Sequence, residues 1–498
     1  MPPISRRSAL LLGGLGVTGT VAGGVGLWRS LNSQPAPVTG ESLGQPATLT
    51  STGGALAASL EAAPGRFPLA GLQAGALGYN GGIPGPTLRL RAGEALRLKL
   101  VNKLAEPSNL HLHGLHVSPQ GNSDNVFVTV DPGSSFDYEY RLPAGHPPGL
   151  YWYHPHHHGR VAAQVSGGLF GAIIVEDPVP VAAGTERVLL VSDTSLDGAG
   201  NVAEASLPER MAGRVGALLL VNGQSNPRMT ARPGERERWR IVNCCVARYL
   251  RLRLDGQKLQ LLGMDSGRSQ SPSDVQEVLL APGNRAELLV TAALGQSELR
   301  AVPYDRGAMP GMGRRGMGPG GPAGQEGAED PAGTTLATLV VAGDPAPPAP
   351  VIAAGPAPPE LRSAAVAARR QLVLATPMGP GQGGGMGPLM GMDFTINGLA
   401  FDERRTDTIV AAGTVEEWIL VNRSTMDHPF HLHVWPMQLI AENGRAVEKA
   451  TLRDVVNVPA NGQVTVRIDF RDFTGRTVYH CHILDHEDLG MMGVIEVR

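Results

Sequence analysis

The chain has 498 residues, with 66 glycines and 41 prolines, a composition that favours turn-rich β structure over long helices. Hydrophobic residues make up 42% and charged residues 17%. That excludes global disorder and gives material for about three domains of ~150 residues. A formal net charge of −3 gives no reason to expect a nucleic-acid partner.

The N-terminus reads Ser5-Arg6-Arg7-Ser8-Ala9-Leu10-Leu11 and stays apolar and Gly-rich to Trp28. Twin arginines before a modest hydrophobic stretch resemble a Tat export signal. A signal anchor is the alternative, because no clean A-x-A cleavage site follows. Residues 1–44 are expected to be signal and linker, with export to a periplasmic or other extracytoplasmic space. No later segment has ~20 continuous apolar residues, so membrane attachment is expected only through this one.

Downstream, one unit recurs three times. Asn80-Gly81 precedes Arg91-Ala92-Gly93-Glu94 and an alternating run to Asn102. Asn222-Gly223 precedes Arg232-Pro233-Gly234-Glu235 and a run to Asn243. Asn397-Gly398 precedes Ala411-Ala412-Gly413-Thr414 and a run to Asn422. Each run alternates apolar and polar residues like a half-buried strand. A turn and a second such strand follow in each copy, at Pro132-Gly133, Pro282-Gly283 and Asn461-Gly462. The expectation is an all-β chain of three tandem Greek-key β-sandwiches, at 45–178, 179–345 and 370–498. Residues 346–369 read as a Pro/Ala-rich linker. Met309–Gly321 and Met378–Met392 are Gly/Met/Pro-rich and unsuited to core strands.

The 14 histidines fall in four places and avoid the middle repeat altogether. Four H-x-H pairs stand out: His111/His113, His154/His156, His431/His433 and His480/His482. On a strand, residues two apart share a face, so each pair presents two imidazoles to one volume. Imidazole suits Cu, Zn, Fe and Ni, and eight imidazoles exceed the needs of a single ion. Tyr153-His154-Pro155-His156 matches Tyr479-His480-Cys481-His482, and His111-Leu112-His113 matches His431-Leu432-His433. A multinuclear cluster between the first and third units is expected, with four imidazoles from each.

Of the three cysteines, Cys244 and Cys245 are adjacent, too close for an ordinary disulfide at a Cα spacing of ~3.8 Å. Both are expected to be structural. Cys481 stands in the third unit where the first has Pro155. With His486, Met491 and His428 it offers two imidazoles, a thiolate and a weak axial thioether, a blue-copper electron-transfer set. Structural zinc, the other Cys/His option, usually takes four firm ligands.

These motifs resemble the multicopper oxidases in their three-domain, laccase-like or bacterial copper-efflux form. The resemblance rests on His111-Leu112-His113-Gly114, Trp152-Tyr153-His154-Pro155-His156, His428-Pro429-Phe430-His431-Leu432-His433 and His480-Cys481-His482-Ile483-Leu484-Asp485-His486. It implies cupredoxin-like domains holding about four copper ions per chain. His428, Cys481, His486 and Met491 would hold type 1 copper. His111 and His431 would hold type 2. His113, His154, His156, His433, His480 and His482 would hold the type 3 pair. It further implies one-electron oxidation of a reducing substrate, Cu(I), another metal ion or a phenol, coupled to four-electron reduction of dioxygen to water.

Glu487 resembles the acid that supplies protons in related enzymes, and Asp124 is the candidate carboxylate near the first histidine pair. His116, His146, His157 and His158 are left as supporting or surface residues. The Met-rich stretches hold seven of 15 methionines, and soft thioethers select Cu(I). Met426, two residues before His428, is a candidate partner for them, while phenol oxidation would need an exposed edge of His428. The alternatives are a copper-binding scaffold or storage protein without oxidase activity, or a two-domain nitrite reductase. The last would lack the middle repeat.

Overall fold

The three Asn-Gly pairs turn the chain as the repeat requires. In the computed structural model, which describes residues 38–308, 331–355, 357–376 and 394–498, Asn80, Asn222 and Asn397 have φ of 51°, 51° and 55°. Their glycines follow at 74°, 80° and 77°. Consecutive positive φ angles make the type I′ hairpin turn, which Asn-Gly adopts at least strain. The signal segment and both Met-rich stretches lie outside the described residues.

The described strands form six sheets, which pair into three successive sandwiches. In the first, one sheet runs 72–79, 55–69, 95–102, 135–141, and the other 48–50, 87–90, 171–175, 149–154, 111–113. The middle sandwich repeats the second order as 228–231, 334–341, 295–302, 250–254, 277–280. The third gives 408–410, 492–497, 475–481, 428–432, 455–458. The fold is therefore three tandem cupredoxin-like Greek-key sandwiches. The third opens with the strand Val366–Ala375, ahead of residue 370 and inside the stretch read as linker. Residues 38–44 are not free linker either, since Thr39 and Ser42 bridge to Ser225 and Arg228 of the middle sandwich.

Alternation sets the cores. Ala95–Asn102 and Val415–Asn422 bury every second side chain almost without exception. Each central strand ends on an asparagine buried at Asn102, Asn243 or Asn422. Each of these amides donates to two carbonyls and accepts one N–H two residues on, which pins the loop that follows. Buried amides paired this fully avoid the ~1–3 kcal/mol penalty of an unsatisfied group. The core of the third sandwich runs on without a break into Leu150, Trp152, Phe170 and Val246. The first and third sandwiches are thus packed against each other, with the middle one completing the seam.

Candidate metal centres

Strand register brings the histidine pairs together. His111 pairs with His154 and His113 with Trp152 in one sheet. His431 pairs with His480 and Phe430 with Cys481 in the equivalent sheet of the third sandwich. The sheets face each other so that His111 stacks on His433 and His113 on His431, each at 3.9 Å between ring centres. All eight imidazoles are buried.

Hydrogen bonds to groups that only accept decide which nitrogen carries the proton. His111 Nδ1 donates to the Asp124 carboxylate at 3.0 Å, and His431 Nδ1 to the Asp454 carbonyl at 2.7 Å. Their bare Nε2 atoms then face each other across 3.5 Å. His480 Nδ1 donates to the Cys481 carbonyl at 3.0 Å, and its Nε2 lies 3.1 Å from Nε2 of both His156 and His433. His154 Nδ1 donates to the Pro155 carbonyl, while its Nε2, His113 Nδ1 and both nitrogens of His482 are buried without a protein partner. Two nitrogens each ~2.0 Å from one ion stand ~2.8–3.3 Å apart at right or tetrahedral angles, so these contacts have the spacing of co-ligands. Burial, joined by neighbouring imidazoles, holds these histidines below the ordinary range. They are neutral at pH 7, with lone pairs facing inward, and fit metal ions.

On the opposite face of the same strand, His428 Nδ1 lies 3.3 Å and His486 Nδ1 3.9 Å from Cys481 Sγ. The Ile483 N–H points at that sulfur at 3.4 Å. Met491 is buried, and its backbone bonds to both Cys481 and His486. Burial pushes the Cys481 thiol well up, so a bound cation is what would keep a thiolate here. His428 Nε2 is taken by Ser424 Oγ at 2.8 Å and His486 Nε2 by the Met211 carbonyl at 3.1 Å.

Both predicted acids lie at the cluster. Asp124 accepts from His111 and from the Leu112 N–H, and burial raises its carboxyl to about 7. Glu487 Oε2 is 3.1 Å from His480 Nδ1 and Oε1 is 3.5 Å from His156 Nε2. Burial, with Asp488 beside it, drives Glu487 well above the carboxylate range.

Two residues weighed for substrate entry are buried. His428 has no exposed edge, and its Nε2 is bonded to Ser424 Oγ. Met426 is packed into the core of the third sandwich. Among the remaining histidines, His146 Nε2 accepts the His116 N–H, His116 Nδ1 donates to the Val434 carbonyl, and His158 packs on Phe401. His116 and His146 line a cavity of about 850 Å³ that reaches Gly114 and Ser266. Cys244 and Cys245 are buried free thiols just beyond the strand Arg236–Asn243.

Sequence reasoning missed Asp454 and Arg285. Asp454 groups with His113 and His431 as a third donor. The one local sign was an acid heading the buried run Val455-Val456.

A three-sandwich chain with a thiolate–imidazole centre joined through one strand to an eight-imidazole cluster is built as a copper-dependent oxidoreductase. The chain belongs to the multicopper oxidase family: that family's profiles match residues 64–180, 181–298 and 380–498. It is similar to the multicopper oxidase of Campylobacter jejuni described as a metallo-oxidase, at TM-score 0.79 and 32% identity over 92% of this chain and 95% of that one. It is 26% identical to the multicopper oxidase mco of Staphylococcus haemolyticus (strain JCSC1435), over 84% of this chain and 83% of the relative. It is also 28% identical to the cell division protein FtsP of Yersinia pestis, over 84% of each.

Proposed function

We propose that the chain is a four-copper oxidase that takes electrons singly from Cu(I), or from another metal ion or a phenol, and passes them to dioxygen to form water. When bound, copper supplies one-electron redox chemistry at Cys481, His428, His486 and Met491, and dioxygen reduction at the eight imidazoles. The observation that carries this reading is the strand Gly475–Cys481, on which Cys481 turns toward His428 while His480 turns toward His156 and His433, with His482 directly after it.

Cys481 offers the thiolate at one end of that path, and its carbonyl, bonded to His480, shortens the route to the cluster. Glu487 holds a proton beside His480 and His156, where water formation consumes protons. Asp124 fixes the tautomer of His111. Export through the Arg6-Arg7 segment would set this chemistry outside the cytoplasm.

Two observations favour Cu(I) over a bulky phenol. His428 is fully buried and its Nε2 is bonded to Ser424 Oγ. The second observation concerns Ala308 and Phe394, described residues that precede one Met-rich stretch and follow the other in sequence. The Ala308 carbonyl accepts from Thr425, and Phe394 stacks on the His486 ring at 4.2 Å. The second reading is a copper-binding scaffold without oxidase activity, which the similarity to a cell division protein keeps in view; a full donor set, every member buried, speaks against a chain that has abandoned copper.

The test is oxygen uptake by copper-loaded protein with Cu(I) and with a phenol, before and after shortening Met378–Met392 or Met309–Met317. Cu(I) oxidation falls while phenol oxidation holds or rises. A parallel fall makes the stretches structural and the chain a general laccase. No blue band and no oxygen uptake supports the scaffold.

A further inference from the structure

A residue of the histidine-free middle sandwich reaches the cluster. Arg285 opens the strand Arg285–Thr291, just after the Pro282-Gly283 turn, and its side chain is fully buried. Nη1 and Nη2 donate to Asp454 Oδ1 and Oδ2 at 2.5 and 2.6 Å, and Nε donates to the Leu150 carbonyl at 3.2 Å. Leu150 belongs to the first sandwich and Asp454 to the third, so one guanidinium joins all three. Ser266 Oγ adds a bond to Asp454 Oδ2 at 3.1 Å.

Asp454 in turn faces two cluster histidines. Its Oδ1 is 3.0 Å from His113 Nε2, and its carbonyl is 2.7 Å from His431 Nδ1. A carboxylate in a bidentate arginine pair accepts and does not donate. His113 therefore carries its proton on Nε2, leaving Nδ1 bare, and that Nδ1 has no protein partner. His431 carries its proton on Nδ1, leaving Nε2 bare. Two rings stacked at 3.9 Å and 8° thus present opposite nitrogens.

The backbone makes room for this pair. Gly114, directly after His113, has φ +86°, and a Cβ there would lie 2.3 Å from Arg285 Nη2 and 2.7 Å from Asp454 Oδ2. The glycine closing the first histidine motif is required by the guanidinium–carboxylate pair as much as by its own φ.

Building on the copper reading above, we propose that Arg285 is a positioning residue for the cluster. By clamping the Asp454 carboxylate it fixes which nitrogen His113 offers to metal and holds in place the residue whose carbonyl His431 bonds, and it acts from the sandwich that supplies no ligand. Partners that orient ligands in this way typically change metal affinity about 10–100-fold.

The test compares copper-loaded wild type with Arg285→Gln, Arg285→Lys and a control, Arg240→Gln. Arg240 is equally buried in the same sheet, but its bonds run to Glu186 and Glu287. Copper retention against a chelator, the type 2 electron paramagnetic resonance signal and the blue band are read for each. Arg285→Gln gives up cluster copper about 10–100-fold more readily and shifts the type 2 signal, while the blue band per folded chain holds. Because Gln leaves Asp454 unpaired and endangers folding, Arg285→Lys is the second arm. It keeps the charge without the fork and falls between wild type and Gln. Arg240→Gln lowers the thermal midpoint and leaves the type 2 signal alone. If Arg285 variants keep the wild-type signal and retention, or change them only as Arg240→Gln does, the inference is overturned by itself. A wild type with no type 2 signal overturns the copper reading and this inference with it.

Discussion

His480 donates through Nδ1 to the carbonyl of its own neighbour Cys481, 3.0 Å away. The two residues are joined once by the chain and once by this bond. Strand alternation sends their side chains to opposite faces, the thiol toward His428 and the imidazole toward His156 and His433. Any electron leaving the sulfur for the cluster has both routes.

Replacing Cys481 by Ser tests that link. The swap is nearly isosteric in a fully buried position, so the fold survives. The blue band disappears and oxidase turnover falls by orders of magnitude, while the eight-imidazole cluster keeps its copper. Visible absorption and oxygen uptake on the same sample check it; substantial turnover by Cys481→Ser overturns the role.

Glu487→Gln keeps size and burial but has no proton to release. Copper content and the blue band stay, and oxygen reduction at saturating reductant slows about 10²–10⁴-fold, the usual worth of a positioned acid. Steady-state turnover decides, and a rate equal to wild type would return Glu487 to the status of an ordinary buried carboxyl.

Acid stability of the metal-free protein follows from the histidines. Burial lowers His154 and His428 to about 3 and His431 to about 4, against 6.5 when unfolded. The unfolded chain therefore binds protons first. Stability is complete above pH 6.5 and is lost as pH falls toward 3–4, at about 1.4 kcal/mol per pH unit for each such histidine. Asp124 and Asp488, raised to about 7, have the opposite sign: their contribution falls as pH rises from about 4 to 7. Histidines shifted this way outnumber the raised carboxyls, so the thermal midpoint drops steeply below pH 6.5. Copper, which occupies the lone pairs, moves the drop to lower pH. A midpoint flat between pH 7 and 4.5 contradicts this account.

The Cys244→Ala/Cys245→Ala double variant keeps its full copper complement. Both thiols are buried in the seam beside Val191 and Val246, so the change lowers stability by about 1–2 kcal/mol. Metal analysis and a melting curve separate the two effects; a loss of copper would assign these thiols to the metal.

The parts of the site that could be read from sequence are those with a short period. H-x-H marks two imidazoles on one strand face, and Asn-Gly marks hairpins that recur at equivalent places. Arg285 and Asp454 escaped because they are 169 residues apart and meet only when three sandwiches close on one another. Nothing local to Arg285 separates it from the other strand arginines. Ser424 escaped for a different reason: a serine four residues before a histidine is common, and only the buried turn aims its oxygen at His428 Nε2.

His111 and His431, whose Nε2 atoms stand 3.5 Å apart, are separated by 320 residues of chain. An ion gripped by both acts as a cross-link around a very long loop. By the same reckoning that applies to disulfides, closing such a loop removes about 5–6 kcal/mol of disorder from the unfolded ensemble. Loaded and stripped protein should therefore differ less in shape than in how they come apart. The loaded chain melts at the higher temperature, and a chelator brings it down to the midpoint of the stripped chain.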